Sequence, residues 1–173
     1  MVHTYPYAEC NAMKYPPEIT YTKLVDWCNK GERCRHNIRQ KLQRWQVDSP
    51  FIDECIARLE KSHLLDDNRF AAAFAHDKST LQRWGAHKIR LHLRARGISE
   101  GVIQDALSTI QTDLYADNLQ ELAQRKWGSI KGKNDFERTA KLIQFLLRKG
   151  FSYELIKKTL AHANMDSDAI NHL

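Results

Sequence analysis

Three stretches of this chain align with one another without a gap over 22 residues, and that self-similarity restricts the fold more than any other feature. They run from Ile38 to Leu59, from Ile89 to Ile110 and from Leu142 to Ala163, with starts 51 and 53 residues apart. Equivalent positions hold Ile38, Ile89 and Leu142, then Leu42, Leu93 and Leu146 four residues later, which is one stripe of an α-helix. Gly97 and Gly150 follow where a helix stops in a left-handed residue, and the first copy has Gln46 there. Val47, Ile98 and Phe151 then form an apolar plug. Asp48, Ser99 and Ser152 stand where a side chain accepts the free amides of a new helix, whose first turn tolerates Pro50. The new helix carries its own stripe: Ile52 and Ile56, Ile103 and Leu107, Ile156 and Leu160.

A further helix precedes each pair, over about Thr20 to Asn29, Asp67 to Ser79 and Leu114 to Lys126. Leu24, Val25 and Cys28 give the first its stripe, and Phe70, Ala73 and Phe74 the second. No alternating segment is long enough for a strand. The expected fold is therefore all-α: three tandem three-helix repeats packed end to end into an elongated array, straight or curved and of either hand. The alternative is a single helical bundle whose turns resemble one another by chance. The expected division is an N-terminal extension over 1–19, marked by Tyr5-Pro6-Tyr7 and Tyr15-Pro16-Pro17, then repeats over 20–64, 65–112 and 113–173.

The cysteines Cys10, Cys28, Cys34 and Cys55 form no CxxC pair and read as reduced thiols; zinc on Cys28, Cys34 and His36 would need an unfamiliar spacing. There is no apolar run of membrane-spanning length and no signal-peptide pattern at the start, so a cytoplasmic protein is expected. No phosphate-binding GxxxxGK, no GxSxG and no plausible carboxylate pair occurs, which argues against an enzyme and implies no cofactor or metal.

Charge supplies the functional hint. Lysine and arginine outnumber acids by 27 to 21, a net +6, and six cations with no acid lie between Lys78 and Ser99: Lys78, Arg83, Lys88, Arg90, Arg94 and Arg96. Ile89 and Leu93 point one way on that helix while His87, Arg90 and Arg94 gather on a flank, free of interleaved acids, where two like charges four apart repel slightly. Solvation alone is the competing explanation of such a face. Weaker basic sets occur in the first repeat (Lys30, Arg33, Arg35, Arg39, Lys41, Arg44) and the third (Lys131, Lys133, Arg138, Lys141, Arg148, Lys149), a pattern suited to a long anionic partner. Trp84 offers an aromatic face for stacking, but its place before Gly85 suits a core residue better, and Trp27, Trp45 and Trp127 read as core in the same way.

The segment Leu64 to Ser99, LLDDNRFAAAFAHDKSTLQRWGAHKIRLHLRARGIS, resembles the central repeat of the RecX family of recombinase regulators. The LDDxRFA motif, the basic stretch with Trp84-Gly85, and KIRxxLRxRGIS match in order and spacing. Weaker resemblance in GERCRHNIRQKL and RKGFSYELI extends it over about Tyr21 to Ala163. Trp45-Gln46 departs from the family's basic-glycine turn, as does the Tyr/Pro-rich arm. The resemblance implies a regulatory protein that binds the RecA filament on DNA as a monomer, bridges neighbouring subunits, and restrains ATP hydrolysis, strand exchange and the stimulation of repressor self-cleavage. Its implied partners are RecA and the single-stranded DNA within or near the filament. Arg69, Lys88, Arg90, Arg94 and Arg96 are the contacts it implies, with Lys78 and Arg83 from the same acid-free stretch. Asp67 is then a cap, and Phe70, Phe74, Ile89, Leu93 and Gly97 hold their helices. The rival readings are a helical protein that binds DNA directly through helix-turn-helix-like units, and a repeat adaptor for another protein.

Overall fold

A computed structural model of the chain describes residues 13–110 and 112–162. These residues form helices and no strand: α1 (Pro17–Cys28), α2 (Arg35–Arg44), α3 (Ser49–Lys61), α4 (Asp67–Thr80), α5 (Ala86–Arg94), α6 (Glu100–Ser108), α7 (Thr112–Trp127), α8 (Asp135–Lys149) and α9 (Tyr153–His162). The chain divides into two compact units, Met1–Phe70 and Ala71–Leu173, with the division inside α4. Cys10 and the Tyr5-Pro6-Tyr7 part of the arm lie outside the described residues.

The aligned apolar positions form the core except Leu107, which is half-buried while its neighbour Ala106 takes the buried place. Ile38, Leu42, Ile89, Leu93, Leu142 and Leu146 are fully buried, as are Ile103, Ile156 and Leu160, and the plugs Val47, Ile98 and Phe151 are buried beside them. Each such side chain withdrawn from water contributes roughly 1.5–3 kcal/mol. The left-handed stop recurs in all three copies: Gln46 has φ 58°, Gly97 75° and Gly150 94°. The first copy thus makes the same turn without glycine, at a steric cost of about 1–2 kcal/mol.

The helix starts depart in detail from the sequence reading. α1 begins at Pro17 rather than Thr20, because proline at the first helical position loses no bond. The buried Thr20 hydroxyl donates to Tyr15 O at 3.1 Å, and the Lys14 amide donates to Trp45 O at 2.9 Å, so the end of the arm packs. Asp48 and Ser152 accept from Phe51 N and Leu155 N, whereas Ser99 makes no side-chain cap bond. The cap of α4 is Asp66, not Asp67: its Oδ1 accepts from the amides of Asn68 at 2.7 Å and Arg69 at 3.2 Å. Asp67 is the first helical residue and its carboxylate faces Arg35 instead, at 3.9 Å. The buried stripe of α4 runs through Phe70, Ala71 and Ala75, with Phe74 only half-buried.

In the second unit, the start of α5 meets the end of α8. The Gly85 amide donates to Lys149 O at 2.8 Å and the His87 amide to Gly150 O at 3.0 Å, while the Tyr115 hydroxyl accepts from Ala86 N at 2.6 Å. The amides that α5 cannot satisfy within itself take carbonyls that α8 cannot satisfy, positive helix end against negative. The approach leaves no room for a side chain: a Cβ on Gly85 would run into Gly150 C and Phe151 N. Burial raises the Tyr115 hydroxyl above its ordinary pKa, which keeps it protonated beside this junction.

Candidate binding surface

The seven cations singled out in the sequence differ in their partners. Arg69 lies in the first compact unit, where its Nε donates to Glu32 Oε1 at 3.0 Å and its Nη2 to His63 O at 2.9 Å. The hydrogen bond to Glu32 raises its pKa further. Arg83, in the second unit, pairs with Glu121 at 2.6 Å.

Arg90 and Arg94 converge on one carboxylate. Glu100, at the first position of α6, accepts from Arg90 Nη1 and from Arg94 Nε, the latter at 2.7 Å, and Arg90 Nη2 also reaches Gln104 Oε1 at 2.9 Å. The hydrogen bond from Arg94 is the main reason that the Glu100 carboxyl sits below its usual range. The acid-free stretch is therefore partly neutralised by the residue that follows it, and the two guanidinium groups are bridged rather than left to repel. The tight turn between α5 and α6 brings this about by folding the start of α6 back along α5.

Lys78, Lys88 and Arg96 gather elsewhere, around aromatic rings. The Nζ atoms of Lys88 and Lys78 lie 4.3 and 5.2 Å from the centre of the Trp84 ring, and the Arg96 guanidinium lies 5.0 Å from Phe74. Phe74 meets Trp84 nearly edge-on at 6.4 Å, and His92 lies 4.7 Å from it. Burial first, then Arg96, Lys88 and Lys78, lower the His92 pKa, so the imidazole is neutral at pH 7. Trp84 is half-buried, intermediate between the core residue and the open stacking face. No carboxylate lies within ion-pair distance of Lys78, Lys88 or Arg96 among the described residues.

Two exposed apolar residues were not read from the sequence as functional. Leu91 is 66% exposed on α5 and Leu81 is 79% exposed just past α4. The signal for Leu91 was its phase: two residues from both Ile89 and Leu93, it points roughly opposite their stripe. An exposed leucine beside arginines fits a protein partner better than a bare polyanion.

Cys28, Cys34 and Cys55 are buried, and burial pushes the Cys55 thiol up to about 12, which makes it inert. Among the described residues, no three His, Cys, Asp or Glu side chains are grouped to hold a metal, and no helix is long and apolar enough to cross a membrane.

Comparison with known proteins decides what these helices are. The family descriptions "RecX, second three-helix domain" and "RecX, third three-helix domain" match residues 66–107 and 113–160. The "Regulatory protein RecX" of Chlorobium phaeobacteroides is 33% identical over 129 residues, which cover 75% of this chain and 83% of that one. This chain belongs to the RecX family. A second RecX, from Limosilactobacillus reuteri, is 29% identical over 79% of the chain, which spans only 53% of that relative's length. A crystal structure of regulatory protein RecX superposes with a TM-score of 0.73 at 28% identity, covering 82% of this chain and 73% of the other. The matches to the two RecX domains take in nearly all of α4 to α9, and the surface around Trp84 and Leu91 lies within the second domain. α1, α2 and α3 lie outside both.

Proposed function

We propose that this chain regulates the RecA recombinase by binding its filament on DNA, and that it restrains ATP hydrolysis, strand exchange and the stimulation of repressor self-cleavage. The observation that carries the reading is the RecX membership of the segment that displays α5, on which Leu91 is exposed and Arg90 and Arg94 share Glu100. Leu91 supplies an apolar anchor and the arginines a charged rim, the usual division of labour at a protein interface. Single-stranded DNA held by the filament would add phosphates for Lys78 and Lys88 around Trp84.

Inhibition on this reading needs no chemistry and no cofactor. A monomer with two compact units on one chain makes more than one contact, and the second gains from the effective concentration set by the first. If the regulator binds one filament conformation better than another, linkage shifts the population towards it. A protein acting on such a filament works in the cytoplasm. Single-strand-dependent ATPase of the cognate recombinase, measured while this protein is titrated before and after filament assembly, tests the proposal. Progressive loss of turnover is expected, and no change in either order would overturn it.

A further inference from the structure

The cations of the first compact unit are of two kinds. Arg35 pairs with Glu60, Arg39 with Asp53 at 2.6 Å, Arg58 with Glu54 at 3.7 Å and Arg69 with Glu32 at 3.0 Å. Arg33, Lys41 and Arg44 have no carboxylate within 4.0 Å among the described residues, and on α2 Lys41 and Arg44 face away from Arg35 and Arg39. Arg33 Nε is buried without a hydrogen-bond partner there.

These cations alternate with aromatic rings. The Arg33 guanidinium lies 4.6 Å from the Trp27 ring centre, and Lys41 Nζ lies 4.3 Å from the same ring and 5.1 Å from Trp45. Trp45 meets Tyr15 edge-on at 5.3 Å, and Lys14 and Lys23 approach Tyr15 at 5.4 and 4.7 Å. Against Trp27 opens a cleft of about 180 Å³, lined by Asn37, Gln40, Lys41 and Arg44. The four come from one stripe of α2, at spacings of three, four and seven, turned away from the buried pair Ile38 and Leu42. Asn37 Oδ1 is taken up by the Cys34 amide at 3.3 Å, which leaves its NH₂ group as a donor.

We infer that this strip binds single-stranded nucleic acid, with Lys41, Arg44 and Arg33 on phosphates and a base against Trp27 in the cleft. A single strand alternates anionic phosphates with flat, unpaired bases, and both halves of that pattern have a counterpart here. An acidic peptide would engage the cations and leave the rings unused, and a duplex hides its base faces. In the free protein the cations rest on the rings; a phosphate draws them aside and a base takes their place. The strip lies in the first compact unit, needs no recombinase, and falls outside both matched RecX domains.

The test is the full chain with a fluorescein-labelled oligothymidylate and no recombinase, followed by anisotropy and tryptophan quenching from 50 to 200 mM salt. Binding with quenching is expected. Lys41→Ala with Arg44→Ala should weaken it at least ~10-fold and lower the slope of log Kd against log salt by about 1.4, from roughly 0.7 per phosphate on a single strand. Trp27→Phe, which keeps most of the core contact, should reduce quenching and weaken binding severalfold. Arg39→Ala, on the paired flank of the same helix, should change affinity less than about twofold. Oligouridylate is run in parallel: tight binding of either strand supports the proposal, and the tighter one names the source. Wild-type affinity and slope in a folded Lys41/Arg44 double variant would overturn it, as would equal displacement by polyglutamate or by duplex of the same sequence. A chain that binds the oligomer yet leaves recombinase ATPase untouched supports this site and overturns the filament reading, and the reverse result does the opposite.

Discussion

Two glycines in equivalent turns bear different loads. Gly97 and Gly150 both have positive φ, but a Cβ on Gly97 would meet nothing within 4 Å, whereas one on Gly150 would run into Lys88 Cβ and lie 2.5 Å from Lys88 N. Gly97→Ala should therefore cost about 1–2 kcal/mol, the left-handed penalty alone. Gly150→Ala adds overpacking of roughly 1–3 kcal/mol and forces α5 away from α8. Urea midpoints of the two variants should separate accordingly, and equal midpoints would contradict the close approach at Gly85. Glu100 is the second residue with a specific consequence. If Arg90 and Arg94 contact an anionic partner, Glu100 competes with it, so Glu100→Gln should lower the half-inhibitory concentration on the recombinase about two- to fivefold, the range of one exposed ion pair. Arg90→Glu with Arg94→Glu should raise it at least ~10-fold with helical content unchanged, and full inhibition by that folded variant would remove α5 from the interface.

At the scale of an element, the start of α4 depends on a single carboxylate. The Arg69 amide is the main reason that the Asp66 pKa lies below its ordinary value of 3.8, with the Asn68 amide adding to it. A folded-state pKa lowered in this way gives stability that is present above pH 3.8 and is lost as pH falls through the lowered value. Asp66→Ala should cost about 1 kcal/mol at pH 7, and its difference from wild type should shrink in denaturation curves taken progressively below pH 3.8. A gap that stays constant into acid would mean that the cap bond is not what stabilises α4. Most elements were legible from periodicity, because spacings of three and four report neighbours on one helix face and need no knowledge of the rest of the molecule. The choice of Asp66 over Asp67 was not legible. Both are capping residues, and which one leaves the helix depends on where the chain turns out of α3 and on Arg35 drawing Asp67 inward.

For the whole molecule, a net charge of +6 predicts filament inhibition that weakens with ionic strength. Between 50 and 200 mM salt the half-inhibitory concentration should rise at least several-fold, and the rise should be shallower in the Arg90/Arg94 double variant. Salt-independent inhibition would place the energy of binding in Leu91 and Leu81. Residue order alone was enough for an all-helical chain, for three copies of a helix, left-handed stop and helix, for most of the buried stripes outside α4 and for the family. Each of these rests on contacts within a few residues along one helix or turn. Order was silent on which cations stay available, because ion pairing is settled by side chains distant in the chain. Glu100 folds back onto Arg90 and Arg94, Glu121 reaches Arg83, and Asp53 and Glu60 neutralise one flank of α2 while Lys41 and Arg44 keep the other. The approach of Gly85 to Gly150 and the cleft beside Trp27 were hidden for a related reason: the first joins α5 to the distant α8 and the second α1 to α2, and only helix packing sets the distances.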